Sequence, residues 1–301
     1  MKALLAAAVF LAPACVGAQT APVNPVARHY REGETLHYRM TAVNDAWHYS
    51  ADATGVVKKA ADGSWIEEFQ WTGMTSDGQA VALPPGMLDF RASFSLDPSH
   101  MPSGPNLAGI DPRFVGAVTD LMTFYVDDWL FQKIPLFHQP GDHFYVPNSN
   151  PASWADGTRV LTGTDAIDFD LHLQSLDATA HTAVLVVHHV PPKNPVLKYP
   201  VPWMQTPVAD TPNNWMEVTK TSDGKYQAGA GKETFDVTLT VSTVDGRILS
   251  ATMDNPVVLS RRICDDVALT QCGAPQPQTI HRHVEIALAP NDAAEPQAQR
   301  L

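Results

Sequence analysis

Five Asp-Gly dipeptides divide this chain, and each lies between two strand-like runs of residues. The dipeptide suits the positive φ angles of tight hairpin turns, which join antiparallel strands. Parallel strands need long crossover connections instead, so the repeated turns predict an antiparallel meander. The five pairs are Asp62-Gly63, Asp77-Gly78, Asp156-Gly157, Asp223-Gly224 and Asp245-Gly246.

Alternation of apolar and polar residues predicts where the strands lie. In the first strand Leu36, Tyr38 and Met40 point one way, and the residues between them point the other way. The run 182–190 is apolar on both faces, which predicts a central strand covered on both sides. Strands are expected from residue 34 onward and at 47–59, 65–75, 88–96, 141–146, 164–176, 182–190, 214–226, 232–244, 247–254 and 279–289.

One stretch has the period of a helix. Asp111 is a suitable N-cap, Pro112 fits the first turn, and apolar residues between Phe114 and Trp129 fall on one broad arc. The predicted fold class is therefore mainly β: a curved antiparallel meander, as a half-barrel or open barrel, with one long helix at 112–133 packed on it.

Two aromatic rings of this helix, Phe124 and Phe131, fall outside the apolar arc. A helix lying only on a sheet would expose both rings, at a cost of about 1.5–3 kcal/mol each. We therefore expect a second covering layer, formed by 98–110 or by 191–215.

Residues 1–18 have the features of a signal peptide. Lys2 supplies the positive start, Ala3–Ala14 is apolar, and small residues precede an expected cleavage before Gln19. The apolar run is too short for a permanent membrane anchor, so the mature chain is expected to be periplasmic or secreted and without a transmembrane span. Cys15 lacks the leucine that a lipobox carries three residues before its cysteine, which argues against lipidation.

The mature chain is expected to form a single antiparallel β domain at 19–289, followed by a disordered tail at 290–301. The formal net charge of −12 and the lack of a Lys/Arg cluster exclude nucleic acid as a partner. Cys264 and Cys272 are the two cysteines that remain after cleavage, and an oxidising compartment favours a disulfide between them. A metal pair is the alternative, but no histidine or second cysteine pair flanks them at ligand spacing.

Asp168, Asp170 and His172 form the sharpest group of candidate metal ligands. Alternate residues of one strand share a face, and carboxylates and imidazoles bind divalent metals. A flat strand spaces such residues about 7 Å apart, so the alternative interpretation is the solvent side of an amphipathic strand.

Further histidines occur in the pairs His188-His189 and His281/His283, without a partner acid at a recognised spacing. Asp142-His143 after Gly141 could form a dyad, but a turn that enters a strand explains the Gly-Asp pair equally well. The chain has no nucleophile elbow, zinc-protease helix motif, phosphate loop or dinucleotide fingerprint. No catalytic residue is therefore identified, and no cofactor is expected.

Aromatic and methionine residues indicate a different kind of site. Trp203, Met204 and Trp215 border a proline-rich loop, and Tyr125 and Trp129 lie on the predicted helix. Such side chains line adaptable apolar pockets, so these five residues are predicted to bind an apolar ligand. The alternative is that the loops only complete the core.

Three short segments carry a family resemblance, namely Gly33–Tyr38, Leu136–Val146 and Phe235–Ser250. The chain there resembles secreted bacterial β proteins with a lipoprotein-carrier (Lol-type) half-barrel. The resemblance implies a curved antiparallel sheet that holds a helix against its concave face, with an apolar cavity between them. The chain departs from a simple carrier by its length, its two proline-rich loops and its expected disulfide, and no functional residues carry over.

From the sequence we expect an exported, non-enzymatic β protein that binds a lipid-like apolar ligand, or a partner chain of the envelope, in a cavity between sheet and helix. One alternative is a metal-dependent hydrolase centred on Asp168, Asp170 and His172. Another is a structural envelope protein that binds other proteins through its loops.

Overall fold

The computed structural model describes residues 24–45, 47–82, 91–97, 124–125, 128, 131–132, 137–147, 159–165, 168–191 and 199–289. This part of the chain contains one large open antiparallel sheet, so the mainly β, antiparallel class is confirmed. The strands are β1 (Thr35–Asn44), β2 (Trp47–Lys59), β3 (Trp65–Ser76), β4 (Gln79–Ala80), β5 (Arg91–Ser95), β6 (His143–Val146), β7 (Arg159–Asp165), β8 (Asp168–Asp177), β9 (Thr182–Val190), β10 (Trp215–Lys220), β11 (Tyr226–Glu233), β12 (Asp236–Ser242), β13 (Ile248–Cys264) and β14 (Gln276–Leu288), with a short 3₁₀ helix at Pro202–Gln205.

The order of the main path through the sheet is β4-β3-β2-β1-β14-β13-β12-β9-β8-β6, and every pairing is antiparallel. A side branch, β11-β10-β7, leaves the path at β13. The first half of β13 pairs with β12 and the second half with β11. The division falls at Asn255 and Pro256, where Asn255 donates to the Glu233 carboxylate at 2.8 Å and to the Thr234 carbonyl at 2.6 Å.

The Asp-Gly turns that lie within the described residues have the predicted backbone. Gly63, Gly78, Gly224 and Gly246 all have positive φ, and Asp77 shares this property in the two-residue turn between β3 and β4. The remaining pair at 156–157 lies outside the described residues, as do the predicted signal peptide at 1–18 and the tail at 290–301.

Several strand predictions need correction. The expected strand 164–176 is two strands, β7 and β8, which lie in different parts of the sheet. β9 was expected to be covered on both faces, but its buried residues alternate, so only one of its faces packs into the core. β13 is much longer than the predicted 247–254. Its second half continues past Asp254 and pairs with β11, the first strand of the side branch.

Two cores lie against the sheet. The larger one takes alternate residues from the strands of the main path, with Met40, Trp71, Leu185 and Leu239 among its most deeply buried members. The smaller one lies against the side branch and contains Met204, Met216, Val218 and Leu269.

Most of the predicted helix 112–133 lies outside the described residues, and no α-helix with described bounds occurs among them. The five described positions are helical in conformation and buried, with the spacing of one helical face: Phe124, Tyr125, Asp128, Phe131 and Gln132. The long helix itself is therefore not among the elements that the structure describes. In the described part of the chain, no helix is long and apolar enough to cross a membrane.

The second covering layer stays a prediction, because the expected segment 98–110 and residues 192–198 of the other expected segment lie outside the described residues. Phe131, which was expected to be covered, is buried. Its ring packs edge-on against Phe169 at 5.4 Å and Phe235 at 6.2 Å between ring centroids, so it is covered by residues of the sheet and its connections. The buried face also includes the polar side chains Asp128 and Gln132. Burial on this face is therefore not limited to the apolar residues from which the helix was predicted.

The N-terminal arm, residues 24–34, crosses the turn between β12 and β13. His29 donates its backbone N–H to the Asp245 carbonyl at 2.9 Å, and Arg28 forms an ion pair with Glu34 at 2.7 Å. Gly246 faces the arm so closely that a Cβ there would overlap the backbone of Ala27. The arm is thus part of the folded domain.

Candidate metal site on the outer face of the sheet

Three candidate metal ligands meet on the outer face where β6 and β8 pair. His143 of β6 lies directly across from His172 of β8, and Asp170 precedes His172 by two residues on the same strand. One ligand atom from each of the three residues lies within 4.8 Å of those from the other two. These are the only described residues that form such a group of three.

The distances within this group suit a bound ion. Asp170 Oδ2 lies 2.9 Å from His172 Nε2, and Asp170 Oδ1 lies 3.4 Å from His143 Nδ1. Zinc with ligands at 2.0–2.2 Å in a tetrahedron separates its ligand atoms by about 3.3 Å. The carboxylate therefore already stands at ligand spacing from both imidazoles.

The strand pattern explains why these side chains face solvent. Leu171 and Leu173 alternate with the two β8 ligands and are buried in the larger core, which holds β8 in its register. The ligand side chains remain accessible, with 65% of His143, 27% of Asp170 and 36% of His172 exposed. An ion from solvent can reach all three.

Asp168, the third ligand predicted from the sequence, lies apart from this group. It is buried at the start of β8 and accepts a hydrogen bond from the Tyr145 hydroxyl, and this bond raises the pKa of Tyr145. The structure thus brings together Asp170 and His172 but places His143 where Asp168 was expected.

Sequence reasoning noted His143 only as part of a possible dyad with Asp142. Asp142 in fact accepts the backbone N–H groups of His138 and Gln139, and these bonds lower its pKa. The sequence contained only a weak signal for this pairing, namely the polar residues at alternate positions of two separate strands. Only the register of β6 on β8 reveals that His143 faces His172.

The ionisable side chains continue in a row across the sheet. Directly paired residues on five adjacent strands are all aspartate or histidine: Asp170, His188, Asp236, Asp254 and His283. His188 Nδ1 lies 2.7 Å from Asp236, and His283 Nδ1 lies 2.7 Å from Asp254. The hydrogen bonds that His283 donates to the carboxylates of Asp254 and Glu285 raise the pKa of His283.

The surroundings of Tyr125, predicted to bind an apolar ligand, are polar. Its hydroxyl lies 2.8 Å from both carboxylate oxygens of Glu67 and 2.7 Å from the Tyr38 hydroxyl. Burial raises the pKa of Glu67 to about 7, although the Tyr125 hydrogen bond and the charge of Arg28 oppose the shift. A Cβ at Gly55 would overlap this carboxylate, so the glycine makes room for it.

A cavity of about 10 Å³ adjoins these groups and is lined in part by Tyr38, Glu67, Tyr125, Gln132 and Arg247. This volume holds about one water molecule. It does not provide space for a lipid-like ligand.

Among the described residues, Trp203, Met204 and Trp215 do not lie around Tyr125. Met204 is fully buried in the smaller core, where Trp203 packs beside it and donates to the Leu269 carbonyl at 3.3 Å. Trp215 is half-buried at the start of β10, and Trp129 lies outside the described residues. For Trp203 and Met204 the structure favours the alternative interpretation, in which the loop completes a core.

The disulfide between Cys264 and Cys272 is confirmed. It closes a short loop whose Asp266 accepts backbone N–H groups from Thr270 and Gln271. The loop inserts Leu269 into the smaller core, so the disulfide stabilises the contact between the side branch and the 3₁₀ helix.

Comparison of the chain with known family models and with curated proteins finds no match.

Proposed function

We propose that this chain is an exported β protein that binds a divalent transition-metal ion through His143, Asp170 and His172. The observation that supports it best is the convergence of these three ligands from two strands, with the carboxylate 2.9 and 3.4 Å from the imidazole nitrogens. The expected signal peptide and the disulfide agree with an exported protein.

The ligand types narrow the choice of metal. Two imidazoles and one carboxylate suit zinc, copper, nickel or iron, whereas calcium and magnesium prefer oxygen ligands throughout. Zinc binds imidazole and carboxylate ligands in a tetrahedral arrangement, and it does not change its oxidation state. We therefore use Zn²⁺ as the first probe.

A second candidate function is the carriage of an apolar ligand in a curved half-barrel, as the Lol-type resemblance implies. One observation favours it: Phe124 and Phe131 are buried with the larger core of an open sheet, as a helix held against a sheet would place them. The volume of the cavity beside Tyr125, about 10 Å³, counts against it. Mass spectrometry of lipids extracted from the purified protein tests this candidate directly.

The metal proposal is tested with protein purified from its natural export route without chelators. We expect about one zinc per chain by elemental analysis, and a 1:1 isotherm when Zn²⁺ is added back after chelation. Asp170→Ala and His143→Ala should each weaken Zn²⁺ binding by at least about tenfold, because each removes a ligand.

His283→Ala is the matched control, since His283 lies on the same face of the sheet and also pairs with an aspartate. Its affinity for Zn²⁺ should equal that of the wild type. Wild-type protein that binds no Zn²⁺, or that binds it as well after Asp170→Ala, would refute the proposed function.

A further inference from the structure

We propose that His188 is the fourth protein ligand of this metal site and that Asp236 orients it. The inference rests on the proposed function, because it completes the same site. It also decides what kind of metal site this is.

The position of His188 supports this role. β9 lies beside β8, and His188 is the direct cross-strand partner of Asp170. The ring centroids of His172 and His188 are 5.9 Å apart, compared with 5.4 Å for His143 and His172. Two imidazoles bound to one tetrahedral zinc have centroids about 5 Å apart, so the His188 side chain would have to rotate toward His172 to reach the ion.

Asp236 prepares His188 for this role. The Asp236 carboxylate lies 2.7 Å from His188 Nδ1 and accepts a hydrogen bond from the N–H of that nitrogen. The Nε2 atom is then left with its lone pair, which is the form of imidazole that binds a metal. A carboxylate behind a ligand histidine is the usual arrangement around zinc, since it holds the ring in one tautomer and one orientation.

The side chain of His188 has room to rotate toward a bound ion. About half of its side chain is exposed, and its neighbours on the inner face of β9, Leu185 and Val187, are buried in the larger core. The backbone is therefore held firmly while the ring can turn. The three imidazoles would come from three adjacent strands, so a bound ion would also fasten the short strand β6 to β8 and β9.

A fourth protein ligand changes the expected chemistry. Catalytic zinc sites keep one position open for water, whereas four protein ligands close the coordination shell. A site made of His143, Asp170, His172 and His188 therefore holds the ion instead of activating water. This favours metal holding over the hydrolase alternative.

The test uses Co²⁺ as a spectroscopic substitute for Zn²⁺ in the full exported chain. Four-coordinate Co²⁺ has intense visible bands, and these weaken when water enters and the coordination number rises. We expect intense bands for the wild type and weaker bands for His188→Ala, together with a loss of Zn²⁺ affinity of at least about tenfold. Asp236→Asn should also reduce the affinity, because the ring loses its orienting carboxylate.

His283→Ala again serves as the control, because the His283–Asp254 pair has the same 2.7 Å contact on the same face of the sheet. It should leave both the spectrum and the affinity unchanged, and thermal unfolding should show that all variants are folded. If wild type and His188→Ala bind Co²⁺ with the same affinity and the same spectrum, the fourth ligand is refuted while the proposed function stands. If the wild type binds neither ion, the proposed function itself fails.

Discussion

Replacement of the buried Glu67 by glutamine should change how the stability of this protein depends on pH. Glu67 is enclosed in the larger core, where its carboxyl group contacts the Tyr125 hydroxyl at 2.8 Å. Burial disfavours the charged form and raises the pKa from 4.5 to about 7. Glutamine keeps the shape and can still accept the hydrogen bond, but it cannot ionise.

The sign and the size of the effect follow from proton linkage. Because the folded state holds its proton more tightly than the unfolded state, the contribution of protonated Glu67 to stability is fully present below pH 4.5. This contribution decreases as the pH rises from 4.5 to about 7. Above that pH the effect of Glu67 on the free energy of unfolding no longer changes. With about 1.36 kcal/mol for each pKa unit, the wild type should lose about 3 kcal/mol relative to Glu67→Gln over this range.

The measurement is urea unfolding of both proteins at several pH values between 4 and 9, analysed as the difference in the free energy of unfolding. The difference removes the contributions of all other titrating groups. Glu68→Gln is the matched control, since Glu68 lies next in β3, faces the other side of the sheet and pairs with Lys58 at 3.0 Å. Parallel curves for wild type and Glu67→Gln would show that Glu67 ionises normally in the fold, and the reasoning would be wrong.

Three further changes test the packing. Serine at both Cys264 and Cys272 should lower the free energy of unfolding by about 2.5 kcal/mol, because the disulfide closes a loop with a sequence separation of 8; the reduced wild type should behave alike in urea unfolding. Gly246→Ala should destabilise clearly more than Gly63→Ala, since both glycines have positive φ but only a Cβ at 246 would overlap the N-terminal arm; equal losses would contradict that contact. Phe131→Ala should cost about 3–5 kcal/mol through the cavity that it leaves, and a cost below 1 kcal/mol would show that the ring is not packed as described.

Part of this fold can be predicted from local sequence patterns. The bounds of β2 and β9 agree with the predicted strands, because a run of strand-forming residues bounded by turn residues is a property of neighbouring positions. The turn at Asp77 and Gly78 was predictable for the same reason, since its two positive φ angles depend on the dipeptide itself. The division of β13 between two partner strands has no such local signal.

The buried carboxylate was within reach of the sequence but was missed. Within β3 the period of two places Trp65, Phe69 and Trp71 on one face, and Glu67 lies on that face as well. A glutamate between inward-facing aromatic residues predicts a buried acid. Its partner Tyr125 could not be named, because it lies 58 residues further along the chain.

The candidate metal site was likewise only partly predictable from the sequence. Asp170 and His172 were predicted because they are alternate residues of one strand and must share a face. His143 is 27 residues from Asp170, and its contact depends on the register of β6 on β8. His188 depends likewise on the register of β9.

The sequence by itself therefore determined the antiparallel class, the hairpin turns, the disulfide pair and half of the proposed ligand set, because each follows from residues close together in the chain or, for the disulfide, from there being only two cysteines outside the expected signal peptide. The tertiary structure alone decided which strands lie side by side and in which register. A shift of one residue would turn His143 or His188 to the opposite face of the sheet. The register is set by burial of the larger core on the inner face, where Leu171, Leu173 and Leu185 are enclosed. The positions of the ligands on the outer face follow from that register.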